Sequence, residues 1–241
     1  MAYHQVNSVT QYISDPLVTY TTGNSLKGVR IMQNLRQRLS AAMWARVLLL
    51  WLVLALTALV VGGGLLWLGG FMQNNVRTEL SSQQISFNPE DRLNDEERAI
   101  PGLVENAGQP VATGNQARIY SELIALHMRG AATEAGYEGA SYASLGGIQR
   151  EMRATLATAQ QAGDQAAIDE AQANLTAVTN LRNTMLTGSN LRGSLLSAYG
   201  WDNVATGLTA AAIAVLVLAL VFIVMFVYEL RLGHLPVTTE R

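Results

Sequence analysis

VLLLWLVLALTALVVGGGLLWLGGF, Val47 to Phe71, is the stretch that decides the fold. It lies in an uncharged window that runs from Val47 to Val76. As an α-helix, Val47 to Phe71 is about 37 Å long, enough to span a hydrocarbon core with some tilt. Trp44 stands at one end and Trp67 near the other, where indole rings favour the interface. A second uncharged window, Asn203 to Tyr228, is rich in Leu, Val and Ala; Tyr199 and Trp201 precede it and Tyr228 closes it. Runs of this length without charge are expected to cross a bilayer. The expected fold class is therefore an all-α membrane protein, with transmembrane helices over residues 44–72 and 203–228.

Charge sets the expected orientation. Residues 1–46 carry Lys27, Arg30, Arg36, Arg38 and Arg46 against Asp15, a balance of +4. Residues 73–203 carry nine Arg and fifteen Asp or Glu, a balance of −6. The basic flank of the first span is expected to stay inside, so both termini are cytoplasmic and the protein is a multi-pass component of the plasma membrane. The expected organisation is a cytoplasmic segment over residues 1–43, a span over 44–72, a mostly helical extracytoplasmic domain over 73–202, a span over 203–228 and a cytoplasmic tail over 229–241. More than forty hydrophilic residues stand before the first apolar run, so a cleavable signal peptide is not expected.

Working outward from the spans, Leu26, Val29, Met32, Leu35 and Leu39 recur at helical spacing, with Lys27, Arg30, Arg36 and Arg38 on the remaining surface. This is the pattern of an amphipathic helix, which lies on anionic lipid headgroups, packs on another subunit, or simply sets topology as a solvated basic flank. Beyond the first span, the helix is expected to project through Val76 and Leu80. Residues 86–113 contain Pro89, Pro101 and Pro110 and read as irregular, with a short acidic helix near Glu90–Ala99. Thr113 and Gln116 have capping-box spacing and open a helix expected to end near Gly130. Residues 130–147 read as loop. A helical hairpin follows, broken at Ala162-Gly163-Asp164: Ile148, Met152 and Leu156 mark one arm, and Ile168, Ala171, Leu175, Val178 and Met185 the other. Its Ala- and Gln-rich part, Ala154 to Ala173, is expected to bury little. Gly188-Ser189 reads as the start of a further helix leading to the second span.

The stretches ISFNPEDRL (Ile85–Leu93), AGQPVATGNQARIYSELIALHM (Ala107–Met128), SYASL (Ser141–Leu145) and TMLTGSNLRGSLLSAYGW (Thr184–Trp201) resemble a family of small two-pass actinobacterial membrane proteins. The shared pattern G-x-x-V-x-T-G-x-Q-A-x-x-Y falls on Gly108, Val111, Thr113, Gly114, Gln116, Ala117 and Tyr120. A second, L-R-x-x-L-L-x-A-Y, falls on Leu191, Arg192, Leu195, Leu196, Ala198 and Tyr199. The resemblance covers roughly residues 47–228. It implies two spans around a helical external domain and no established activity. Some members are described as aromatic ring-opening dioxygenases. That chemistry needs a metal held by His and carboxylate, and residues 73–202 contain a single histidine, His127. The long amino-terminal segment and the Ala/Gln-rich hairpin stand outside the family pattern.

The composition narrows the chemistry further. Of 241 residues, 49% are hydrophobic and 14% charged, against about 25% charged in soluble domains. A net charge of −2 argues against a nucleic-acid surface. The absence of cysteine removes disulfides, Cys-ligated metal and thiol catalysis. His4 and His234 are expected inside and His127 outside, so they form no common site. Acidic residues cluster at Glu90-Asp91 and Asp95-Glu96-Glu97 without the alternating ligands and closing Glu of an EF-hand. No ionisable residue falls in either span, which weighs against an ion or proton path in this chain alone. The run Gly62-Gly63-Gly64 has no following Lys-Ser/Thr and is no phosphate loop.

What the spans do carry is small residues at four-residue steps: Ala58 with Gly62 in the first, Gly207 with Ala211 and Ala210 with Ala214 in the second. Such faces let helix backbones approach closely and are candidate helix-packing residues. No catalytic, cofactor-binding or metal-ligating residue is assigned. The expected function is that of a non-catalytic accessory subunit of a larger membrane complex, with energy-transducing or membrane-oxidase assemblies as the setting. Its partners would be other integral membrane subunits and lipid, with anionic lipid at Lys27, Arg30, Arg36 and Arg38. The alternative is an extracytoplasmic sensor. The tail after Tyr228 has only 13 residues, so such a receptor would signal through a separate partner.

Overall fold

A computed structural model describes residues 41–233 of the chain. The amphipathic helix expected over residues 26–39, with its basic residues Lys27, Arg30, Arg36 and Arg38, lies outside the described residues, as do His4 and His234. Within them the protein is all-helical: 84% of residues are in helices and none is in a strand. Two helices dominate, α1 (Ala41–Ser82, 42 residues) and a 69-residue helix, Gln165–Gly233, that ends the described chain. Both are long and apolar enough to cross a membrane, and only 17% and 11% of their most apolar windows are buried. A core helix of a soluble protein would be covered on most sides; these are not.

The first helix continues past its apolar window to Ser82, as its periodicity through Val76 and Leu80 implies. The chain then reverses at Gln84, whose φ is 55°. The irregular segment that follows is folded back on itself by one isolated bridge, Ser86 with Pro110. Val111 N–H donates to Ile85 O at 2.8 Å and Phe87 N–H to Gln109 O at 2.9 Å. Two 3₁₀ turns, Glu90–Arg92 and Val104–Asn106, flank the short α2 (Asp95–Arg98). The acidic helix expected here is thus one turn of α-helix, with Asn94 as its cap.

Thr113 and Gln116 form the expected capping box at the start of α3 (Gly114–Glu134). This helix runs four residues beyond Gly130, where the sequence pattern placed its end. One glycine costs a helix only about 1 kcal/mol, and Ala132 just beyond it is buried in the core, so packing carries the helix through. The loop is correspondingly short. Ser141 and Ser144 cap α4 (Tyr142–Ala162), and Gly163 ends it in the left-handed region at φ 70°. Asp164 Oδ1 then accepts from the Ala166 and Ala167 N–H groups and opens the long helix, α5 (Gln165–Gly233).

No new helix begins at Gly188-Ser189; α5 passes through unbroken. The reason is tertiary. A β-carbon at Gly188 would lie 2.5 Å from Met128 Sδ, so the glycine leaves room for that side chain of α3. The hairpin break at 162–164 is where the sequence placed it, and between Ala154 and Ala173 only Ala159 and Ala171 are buried.

The chain divides into two compact units. In the unit over residues 58–217, one hydrophobic cluster joins Leu80 on α1, Phe87, Leu93, Leu103 and Val111 of the irregular segment, Ile119 and Leu123 on α3, and Leu195 on α5. A second joins Ala132 on α3, Leu145 on α4, and Leu181 and Met185 on α5. The other unit comprises residues 41–57 and 218–233 among those described, where Trp51 and Phe222 rings sit 5.9 Å apart.

Candidate functional site

The two short sequence patterns, over residues 108–120 and 191–199, converge on the first cluster. Thr113 Oγ1 accepts the Gln116 N–H, and Gln116 Oε1 accepts from Thr113 N–H and from Ala112 N–H at 2.9 Å. The other end of the same amide, Nε2, donates to Asn106 Oδ1 at 3.1 Å. One glutamine thus ties the irregular segment to the helix that follows it. Val111 and Ala117 are fully packed, and Tyr120 meets Phe87 edge-on at 5.4 Å between ring centroids. Gly108, at φ 73°, turns the chain where its N–H reaches Asn88 O at 3.1 Å. Gly114 abuts Asp202 on α5: a β-carbon there would overlap the Asp202 side chain and come 2.7 Å from Oδ2. That contact sets a carboxylate beside the start of α3, where the helix dipole favours negative charge.

From the second pattern, Leu195 is buried and Leu191 and Ala198 pack against the same cluster. Arg192 Nε donates to Ser121 O at 3.1 Å, satisfying a carbonyl of α3 in the interior. Nearly every matched position therefore caps, turns or packs. Leu196 is exposed and Tyr199 half-buried.

His127, isolated in the sequence, is paired in the fold. Its Nε2 lies 2.8 Å from Glu97 Oε1, joining α3 to α2. Glu97 is only 5% exposed, and its other oxygen, Oε2, accepts the Asn94 N–H at 3.0 Å. In return Glu97 N–H donates to Asn94 Oδ1 at 2.8 Å. The bond from the Asn94 backbone, and then the His127 ring, hold the Glu97 carboxyl below its ordinary value against the opposing effect of burial. The spacing Asn94-x-x-Glu97 is itself a capping-box signal, so Glu97 was findable as an inward-turned cap; its partner 30 positions later was not.

This splits the acidic cluster. Glu97 turns inward, Glu90 pairs with Arg98 at 3.2 Å, and Asp91, Asp95 and Glu96 are exposed. Among the described residues no three His, Asp or Glu side chains converge in a geometry that would hold a metal ion. The groove beside His127 is shallow, about 440 Å³, and shared by Ile124, Met128, Asn183, Thr184 and Thr187. It contains no carboxylate and no second imidazole.

Of the small residues expected to pack helices, Ala58 and Gly62 are buried within the unit over residues 58–217, and Gly62 lies against α5. A β-carbon on Gly62 would come 2.8 Å from the Leu216 side chain and 3.4 Å from Ala212 O. Gly69 repeats the contact one heptad on: a β-carbon there would come 2.6 Å from Thr209 Oγ1 and 3.1 Å from Ala205 O. Beyond Leu195, the buried alanines of α5 are Ala205, Ala212 and Ala219, spaced by seven. Gly207, Ala210, Ala211 and Ala214 are exposed and face away from this seam. Gly69, Ala205 and Ala212 were missed because a four-residue search does not see a seven-residue repeat; heptad spacing is the signal that finds them.

No protein-family model matches the chain, and no curated protein and no solved structure shows significant similarity to it.

Proposed function

We propose that the chain is a non-catalytic accessory subunit of a larger assembly in the plasma membrane, with residues 73–202 outside and both termini in the cytoplasm. The observation that carries this reading is the division of labour among small residues. Ala58, Gly62 and Gly69 of α1, with Ala205 and Ala212 of α5, are consumed in the chain's own helix pairing. Gly207, Ala210, Ala211 and Ala214 remain on the outer face of α5, where a partner helix could approach closely. The packing roles of the motif residues support it further: the positions that define the resemblance build a scaffold. An energy-transducing or membrane-oxidase assembly is the proposed setting, and its integral membrane subunits are the proposed partners, with anionic lipid at Lys27, Arg30, Arg36 and Arg38.

Purification in mild detergent through a tag on the tail, followed by mass spectrometry, tests the reading. Other integral membrane subunits should co-purify in fixed proportion. Ala210→Leu and Ala214→Leu should release them, whereas His127→Ala and Asp95→Ala should leave assembly and activity intact. If the His127 and Asp95 variants lose activity while assembly stays normal, a catalytic or metal-binding role replaces the subunit reading.

One observation favours a sensor instead. The single helix α5 connects the exposed hairpin end at Gln165 to the far end of the second apolar window without a break. A displacement at the hairpin would be carried along that helix to a signalling partner. A co-purifying kinase or other signalling protein, in place of integral subunits, would select this reading.

A further inference from the structure

Just beyond the apolar windows, α1 and α5 leave a groove of about 220 Å³ between them. Its floor is apolar: Leu80 and Leu195 are buried there, with Val76 and Ala198 half-buried beside them. Its rim is polar. Asn75 on α1, Gln83 in the turn just after it and Ser197 on α5 are exposed, and no other described residue engages their side chains. Ser194 also lines the groove, but its hydroxyl already donates to Asn190 O at 3.1 Å. Glu79 is the one charged side chain in the lining, and it makes no ion pair among the described residues. Trp201, 57% exposed, completes the edge.

We infer that this groove docks the headgroup of an amine-bearing phospholipid such as phosphatidylethanolamine. Three observations converge. The first is position. The groove occupies the first turns past Met72 on α1 and the last turns before Asn203 on α5, which is the headgroup layer if the two apolar windows span the bilayer. An exposed indole at Trp201 is what that layer favours. The second is charge. A lone carboxylate repels an anionic headgroup and attracts an ammonium. A primary ammonium also donates hydrogen bonds to Glu79, which a quaternary choline cannot. The third is the rim chemistry. The amides of Asn75 and Gln83 and the hydroxyl of Ser197 are donors suited to phosphodiester oxygens, while the apolar floor accepts the glycerol and first methylenes. The site thus selects a zwitterionic lipid against the anionic lipid proposed for the opposite, basic flank.

Native mass spectrometry of the full-length chain, exchanged with equal amounts of phosphatidylethanolamine, phosphatidylcholine or phosphatidylglycerol, tests this. Phosphatidylethanolamine adducts should persist about three- to fivefold over the other two, the scale of one partly exposed ion pair. Glu79→Gln should reduce the ethanolamine lipid to the level of the choline lipid. Ser197→Trp, at an exposed position that leaves the core untouched, should fill the groove and lower retention of all three. Circular dichroism checks that both variants keep their helix. Phosphatidylglycerol retained as well as phosphatidylethanolamine, an unchanged preference in Glu79→Gln, or unchanged retention in Ser197→Trp would each overturn the inference. Co-purification of partner subunits does not depend on any of these outcomes.

Discussion

Two stretches of α5 obey different rules. Around Leu191–Ala198 the helix meets bulky side chains from α1, from α3 and from the irregular segment, and Leu195 is buried in that cluster. Between Gln165 and Ala173 the same helix buries a single residue, Ala171. Between the two, polar contacts flank the cluster around Leu181 and Met185: Gln149 Nε2 donates to Thr179 Oγ1 at 2.8 Å, Arg182 donates to Gln149 Oε1 at 3.1 Å, and its guanidinium stacks 4.1 Å from the Tyr142 ring. The hairpin end therefore buries least, and changes there should cost the least stability, since apolar area removed from water is the main favourable term.

The largest effect should come from the packed end. Leu195→Ala is expected to lower unfolding free energy by about 2–5 kcal/mol, read by denaturant titration in detergent, because it leaves a cavity among side chains from four segments. A loss under 1 kcal/mol would mean that the cluster is not the folding core. Next is the seam. Gly69→Leu drives a side chain into Thr209 and the Ala205 carbonyl and should cost about 1–3 kcal/mol. Gly70→Leu, one position on, meets nothing within 4 Å and should cost far less. Equal effects at Gly69 and Gly70 would refute the register of α1 on α5.

The Glu97–His127 tie should contribute about 1 kcal/mol. Because the folded-state carboxyl titrates below its ordinary value of 4.5, its contribution is present above that value and is lost as pH falls through the lower, folded value. Wild-type stability should therefore decline on acidification below 4.5 more steeply than that of Glu97→Gln, which should differ little from wild type at the acid end. Parallel pH profiles would show that the carboxyl is not held as described. The smallest effect belongs to the hairpin end. Ala157→Gln, on the exposed face of α4, should change stability by no more than about 0.5 kcal/mol, and a larger loss in purified protein would reveal a contact there.

Proximity to the carbon chain explains what could be read in advance. The capping box at Thr113 and Gln116, the break at Gly163 and the apolar windows all involve residues within a few positions of one another, and local spacing records them. Gly188 misled for the same reason: locally it signals a boundary, and only Met128, sixty positions earlier, explains why glycine stands inside a continuous helix. The Glu97–His127 pair was half legible, through its cap and not through its partner.

Sequence alone determined that the chain is helical, that two of its helices each hold an apolar window long enough to cross a membrane, and where the hairpin turns. These follow from the solvation of each side chain and from short-range backbone geometry, which need no partner. Only the tertiary structure decided which small residues of α5 are covered. Ala205, Ala212 and Ala219 lie on one face of the helix and Gly207, Ala211 and Ala214 on others, with nearly the same chemistry. Small side chains permit close approach without specifying it. The choice falls to the register in which Gly62 meets Leu216 and Gly69 meets Thr209, and that register is set by contacts between segments more than a hundred residues apart.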